Sequence, residues 1–281
     1  METSLLNGTA ATIEVAEWGR GETTFILLHA SATGPKSLSG LASHLSGPDR
    51  QIIAPAFVGY GQTQSAGAND DDRLATNQAI VRDVLRARPS PRRYLFGHSM
   101  GGTIALSIAL EEQGRGNPFD AVILYEPVLV DLLDLQRLAE ADAYDWDRGV
   151  VECLADQVSK GHPEAGVRHF VEAWNETDWD ALPDPARRAL VASSGNLVEE
   201  TASVSAHKID TSRLATFSTP TLLLRGCLSP PLITFTTDRA ACLMPHASQS
   251  VIEGCGHMGP LLQPAIIAER IEKHLTALGG Q

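Results

Sequence analysis

The sequence predicts an α/β architecture: a mostly parallel central sheet with helices on both faces, plus an inserted helical cap. Three observations predict it. Short β-rich runs alternate with helical runs through the first half of the chain, the alternation then gives way to a long helical stretch, and it later resumes to end on an amphipathic helix. At 281 residues the chain is long enough for one large α/β domain, or for a core domain carrying an inserted subdomain.

Residues 12–18 read as a strand, 19–22 as a turn, and 24–29 as a buried strand built on Phe25, Ile26, Leu27 and Leu28. A helix over 37–45 precedes a short apolar strand at 51–56. Ile80, Val81, Val84 and Leu85 recur at helical spacing across 77–88, and Pro89 and Pro91 stop that helix. A strand at 93–97, a helix at 101–112 and a strand at 121–125 follow. Residues 128–207 show only helical spacings and polar loops, and they hold Trp146, Trp174 and Trp179. Strands return at 221–224 and 249–252. The last helix carries Leu262, Ile266, Ile267, Ile271, Leu275 and Leu278 on one face. The predicted organisation is therefore a core from 1–127, a helical insert from 128–207, and a second part of the core from 208–281.

Hydrophobic residues make up 43% and charged residues 20%, which fits a globular protein rather than a disordered or fibrous one. A net charge of −12 with no basic cluster argues against a polyanion partner, so no nucleic acid is expected, and an anionic membrane surface is disfavoured. Residues 1–14 lack a basic-then-apolar targeting pattern, and no apolar run approaches the ~20 residues of a membrane helix. The four cysteines, Cys153, Cys227, Cys242 and Cys255, show neither close pairing nor metal-ligand spacing. Free thiols in a reduced, cytoplasmic compartment are the expectation, with no metal and no cofactor. The expected partner is a small-molecule substrate, and a homodimer is compatible with the sequence.

Chemistry concentrates at Gly97-His98-Ser99-Met100-Gly101-Gly102, a Gly-x-Ser-x-Gly segment with a buried strand before it and a helix after it. A turn this tight lifts a serine hydroxyl clear of the sheet and sets it at a helix N-terminus, where free N–H groups favour a developing oxyanion. Glycine is needed on both sides because strand and helix approach closely. A bare Gly-x-Ser-x-Gly is also compatible with a glycine-rich turn whose serine only caps the helix. The flanking strand and helix are what favour a nucleophile.

With Leu27-Leu28-His29, Tyr125-Glu126-Pro127 and Glu253-Gly254-Cys255-Gly256-His257-Met258, this segment makes nearly the whole chain resemble the α/β-hydrolase superfamily, specifically its cap-bearing serine hydrolases. The resemblance implies Ser99 as nucleophile and His257, in the loop after the last strand, as its general base. His98 and His29 are rival histidines, one beside the nucleophile and one where the family carries a structural histidine. In most of the family the acid lies three residues beyond a glycine after the strand at 221–224. Here that position is Ser229, and the loop 226–231 has no carboxylate. The resemblance then points to Glu126, after the strand at 121–125, as the acid. Asp238 falls within a helix by its spacing.

By the same resemblance the oxyanion donors are the backbone N–H groups of Met100 and Ser31, although the family usually has glycine where this chain has Ala30. Ala30, Phe57 and Trp174 are the candidate substrate contacts. Tyr60 is a further one, with core packing expected for at least one of Phe57 and Tyr60. Trp174 suits either packing or pocket lining, and packing is expected of Trp179. The implied activity is hydrolysis of a small ester, thioester, lactone or related acyl compound, in the manner of a carboxylesterase or lactonase. C–C bond hydrolysis, perhydrolysis, acyl transfer and non-catalytic ligand binding remain open on the same scaffold.

Overall fold

The computed structural model describes residues 1–65, 72–175 and 178–279. The strands are β1 (Glu2–Asn7), β2 (Ala11–Arg20), β3 (Thr23–Leu28), β4 (Arg50–Pro55), β5 (Gln64–Ser65), β6 (Arg92–His98), β7 (Ala121–Tyr125), β8 (Thr221–Gly226) and β9 (Ala247–Ile252). They form one sheet in the order β1-β2-β4-β3-β6-β7-β8-β9, with β5 pairing β2. From β4 to β9 every neighbouring pair is parallel, while β1, β2 and β5 form the antiparallel end. This is the mostly parallel sheet that the sequence predicts.

Helices cover both faces, as the continuous apolar runs of the central strands require. In chain order they are α1 (Ser39–Leu45), α2 (Arg73–Ala87), α3 (Met100–Gln113), α4 (Leu138–Ser159), α5 (Pro163–Asn175), α6 (Asp184–Ala192), α7 (Ser194–Ala206), α8 (Thr211–Ala215), α9 (Pro231–Leu243), α10 (Gly259–Leu262) and α11 (Pro264–Gly279). Successive side chains of β3 point to opposite faces and join different cores. Phe25 and Leu27 pack with Leu41 of α1 and Ile267 and Ile271 of α11. Ile26 and Leu28 pack with Val81 of α2, Ile104 of α3 and Ile233 of α9.

Between β7 and β8 the described residues contain no strand, and α4 to α7 gather around a small core of their own, with Leu154, Val167, Val171, Trp179 and Leu197. Trp179 is fully buried there, which is the packing role expected of it.

Two features differ from the sequence reading. β1 goes unpredicted because it is an edge strand with exposed side chains and so has no apolar periodicity to see. Leu262 does not share the buried stripe of the last helix: it ends the separate short helix α10 and is 71% exposed, because Pro264 opens a new helix after it. No helix among the described residues is long and apolar enough to cross a membrane.

Candidate active site

β6 runs straight into α3 through Ser99, whose backbone stands at φ 56 and ψ −122. For a residue with a side chain, that conformation costs about 1–3 kcal/mol and persists only when its surroundings fix it. Here they do. Its amide donates to the Tyr125 carbonyl at 3.0 Å, and its carbonyl accepts from Gly102 and Thr103 at 2.8 and 3.0 Å. A side chain at Gly97 would strike the backbone of Gly101, and one at Gly101 would strike the carbonyls of Leu28 and His29. The turn is as tight as the flanking glycines imply.

Three side chains delivered by three strand ends meet at this turn. His257 Nε2 lies 3.0 Å from Ser99 Oγ, and His257 Nδ1 lies 2.7 Å from Glu126 Oε2. Glu126 is fully buried, His257 5% exposed and Ser99 8% exposed, so the row opens to its surroundings at the serine and the imidazole and is closed at the carboxylate. A buried carboxylate is unfavourable by several kcal/mol unless donors surround it. The second oxygen, Oε1, accepts from the Gly226 amide at 2.7 Å and from the Ser229 hydroxyl. Ser229, which stands where the family usually has its acid, therefore serves Glu126 as a donor. Nothing in the sequence signalled that role beyond the position itself.

Asp238, and Asp210 before β8, are engaged away from His257. Asp238 Oδ1 accepts from Gln249 at 2.6 Å, and Asp210 caps α8 through the amides of Ser212 and Arg213.

Both rival histidines are buried and structural. His98 is held by a contact that sequence reasoning missed: its Nε2 lies 2.8 Å from the His257 carbonyl, which can only accept, so Nε2 carries the proton. Burial, with the nearby His257 ring, pushes its pKa well below the ordinary imidazole range, so the ring is neutral. His29 donates through Nδ1 to the Ala30 carbonyl at 2.8 Å and accepts from the Phe57 amide at 3.2 Å. Burial lowers its pKa to about 4.

The loop after β3 brings Ala30 and Ser31 to the same turn, and the Ser31 hydroxyl reaches Met100 Sδ at 3.4 Å. The amide N–H groups of Met100 and Ser31 meet no protein acceptor among the described residues, which leaves both available as donors. Ala32 takes the left-handed conformation at φ 63, and its amide donates to Tyr60 Oη at 2.6 Å. Tyr60 in turn donates to Glu200 Oε2 at 2.8 Å, and Asn196 donates to the other Glu200 oxygen at 3.2 Å. Burial pushes the Glu200 carboxyl up to about 7. This link from α7 to the loop has no sequence signature, because its members are scattered over more than 160 residues.

A cavity of about 610 Å³ opens over Ser99. Its floor includes Ala30, Ser31, Met100 and His257, and its walls include Phe170, Val171 and Trp174 of α5 and Val204 of α7. Trp174 does both things the sequence left open. It is buried in the core, and its ring stands 4.8 Å from that of His257 and 5.4 Å from that of Trp146. Tyr60 lines the cavity, but Phe57 does not. Phe57 is fully buried against His29 with ring centroids 4.6 Å apart, because the chain turns outward only after it, at 58–61. No group of side chains among the described residues is arranged to hold a metal ion.

The model of the alpha/beta hydrolase family matches residues 25–270, which takes in every side chain of this site. Mouse monoglyceride lipase is 32% identical over 99 residues, a stretch that is 32% of this chain and spans only 30% of the lipase. Among solved structures, a candidate lipase from Acinetobacter baumannii superposes with a TM-score of 0.80 at 17% identity, covering 99% of this chain and 92% of that one. An esterase from Exiguobacterium antarcticum gives a TM-score of 0.76 at 18% identity, covering 98% of this chain and all of the other. Identities this low speak to the fold. The family match, which covers most of the sequence and all of the site, shows that the chain belongs to the alpha/beta hydrolase family.

Proposed function

We propose that the protein is a serine ester hydrolase working through a Ser99-His257-Glu126 triad and an acyl-enzyme. The observation that carries this reading is the unbroken row from Ser99 Oγ through the His257 ring to a fully buried Glu126 carboxylate. In the proposed reaction Ser99 Oγ attacks the ester carbonyl as its proton passes to His257 Nε2. The N–H groups of Met100 and Ser31 stabilise the oxyanion, and His257 then protonates the departing alcohol. Water repeats the sequence on the acyl-serine and frees the acid. Glu126 keeps the proton of the resting imidazole on Nδ1 and stabilises the imidazolium formed in each half.

The insert at 128–207 acts in this reading as a cap that supplies the substrate wall. Its apolar lining favours a hydrophobic ester, and simple carboxylic esters and lactones belong to the same reading. Two measurements test it together. A fluorophosphonate probe is expected to label Ser99, and a series of p-nitrophenyl esters of rising chain length, run beside lactones, is expected to show turnover. Ser99→Ala should abolish labelling and lower hydrolysis by ~10³ or more with the fold intact. Labelling that survives in that variant would remove Ser99 from the mechanism.

A further inference from the structure

The mechanism leaves one buried ionisable side chain in the cavity without a task. Asp147, on α4, lines the cavity over Ser99 and is only 4% exposed. Among the described residues no hydrogen bond or ion pair engages it, and its carboxyl oxygens are not sealed in the wall but open to the cavity. Among the described residues it is, apart from His257 and Tyr60, the one ionisable side chain in a lining dominated by alanine, valine, leucine, serine and aromatic residues.

The arginines on the helices packed against α4, and the buried Glu200, are engaged elsewhere. Arg168 pairs with Glu172 and Asp180, Arg239 pairs with Glu140, and Glu200 is held by Tyr60 and Asn196. A carboxylate left unsatisfied in an apolar cavity is destabilising, and Asp147→Leu would fill the same wall without that penalty. The arrangement has a physical use if the ligand brings the missing partner.

We propose, building on the ester hydrolase reading above, that Asp147 binds a protonated amine on the substrate, so that the cavity takes esters bearing an ammonium group remote from the scissile bond. An ammonium offers three donors and the compensating charge, whereas a hydroxyl offers one donor and no charge. Burial pushes the Asp147 carboxyl up to about 6, which still leaves it mostly ionised at neutral pH and ready for a cation. Asp147 enters the cavity from α4, and Ser99 enters it from the turn between β6 and α3. The number of atoms between amine and ester carbonyl is then set by the span of the cavity from α4 to the turn at Ser99.

The test compares matched esters that differ only at the chain end, which carries an amine, a hydroxyl or a methyl group. One series places that end on the acyl chain of p-nitrophenyl esters, and the other places it on the alcohol of simple acyl esters, each over rising chain lengths. In one series the amine ester is expected to exceed its methyl counterpart in kcat/KM by about tenfold or more at pH 7.5, at one chain length. Asp147→Asn and Asp147→Leu should each erase that preference while turnover of the methyl ester stays within about threefold of the parent. Methyl or hydroxyl esters matching the amine ester at every length, or a preference that survives both substitutions, would overturn the assignment. Failure of all three ester types would instead overturn the hydrolase reading on which it rests, and turnover of the methyl ester keeps the two apart.

Discussion

Glu126 stands at φ 49 at the end of β7, and its two oxygens divide their work: one meets the imidazole and the other meets Gly226 and Ser229. The row was legible because Ser99 carries a local motif and His257 follows the last strand before a helix. Glu126 was legible through the resemblance, which offers its position as the alternative once the loop at 226–231 is seen to hold no carboxylate. The donor role of Ser229 was not legible, because a serine in a loop gives no sign of where its hydroxyl will land.

Glu126→Gln should lower kcat at neutral pH by ~10² or more with little change in KM, because an amide in that place no longer fixes the tautomer or stabilises the imidazolium. Ser229→Ala removes one donor from the carboxylate while Gly226 remains. Its expected effect is smaller, about tenfold in kcat, by the strength of one hydrogen bond to a charged group. Asp238→Asn should stay within about tenfold of the parent, since its carboxylate is spent on Gln249. Steady-state kinetics on one neutral ester, with all three variants side by side, decides the ordering.

Among the elements, α5 and α7 each reach the candidate site by a different route. α5 brings Trp174 against the His257 ring, and α7 brings Glu200 to the loop after β3 through Tyr60. The helical character of the insert was plain from spacing alone. Which face of each helix would meet the core was not, because an apolar stripe reads the same whether it packs or lines a pocket.

Trp174→Ala should change KM and chain-length preference more than melting temperature, since the ring lines the cavity against His257. A large melting shift with unchanged specificity would show that the ring serves only as core. Glu200 gives a pH signature. Its folded pKa of about 7 lies above the ordinary 4.5, so the folded state holds the proton longer. The associated stability is full below pH 4.5 and is lost as pH rises through about 7, an effect on the order of 3 kcal/mol. Glu200→Gln lacks that titration. Denaturant midpoints should show the variant gaining on the parent between pH 5 and pH 8, and equal slopes in the two proteins would count against a buried, proton-holding Glu200.

At the scale of the molecule, the candidate site lies at the carboxyl ends of β3, β6, β7 and β9, while α1 and α11 pack against the opposite face of the sheet. The alternation of strands and helices already implied this layout, and parallel pairing sets all those ends on one edge. The exposed edge strand and the break between α10 and α11 escaped the pattern because neither is marked by buried apolar residues. Stability and chemistry should therefore separate. Ile271→Ala, deep under α11, should lower stability by about 2–5 kcal/mol yet leave kcat/KM unchanged well below the melting point. Differential scanning calorimetry and ester turnover on the same sample check both halves.

The small core shared by α4, α5 and α7 carries a consequence for motion, because those helices bury part of their apolar surface among themselves and only the rest in the main core. Amide hydrogen exchange should then fall into two tiers, with β3, β6 and β7 exchanging only through global unfolding and the insert through smaller local openings. A covalent inhibitor on Ser99 that fills the cavity should slow exchange in α5 and α7 and leave the sheet almost untouched.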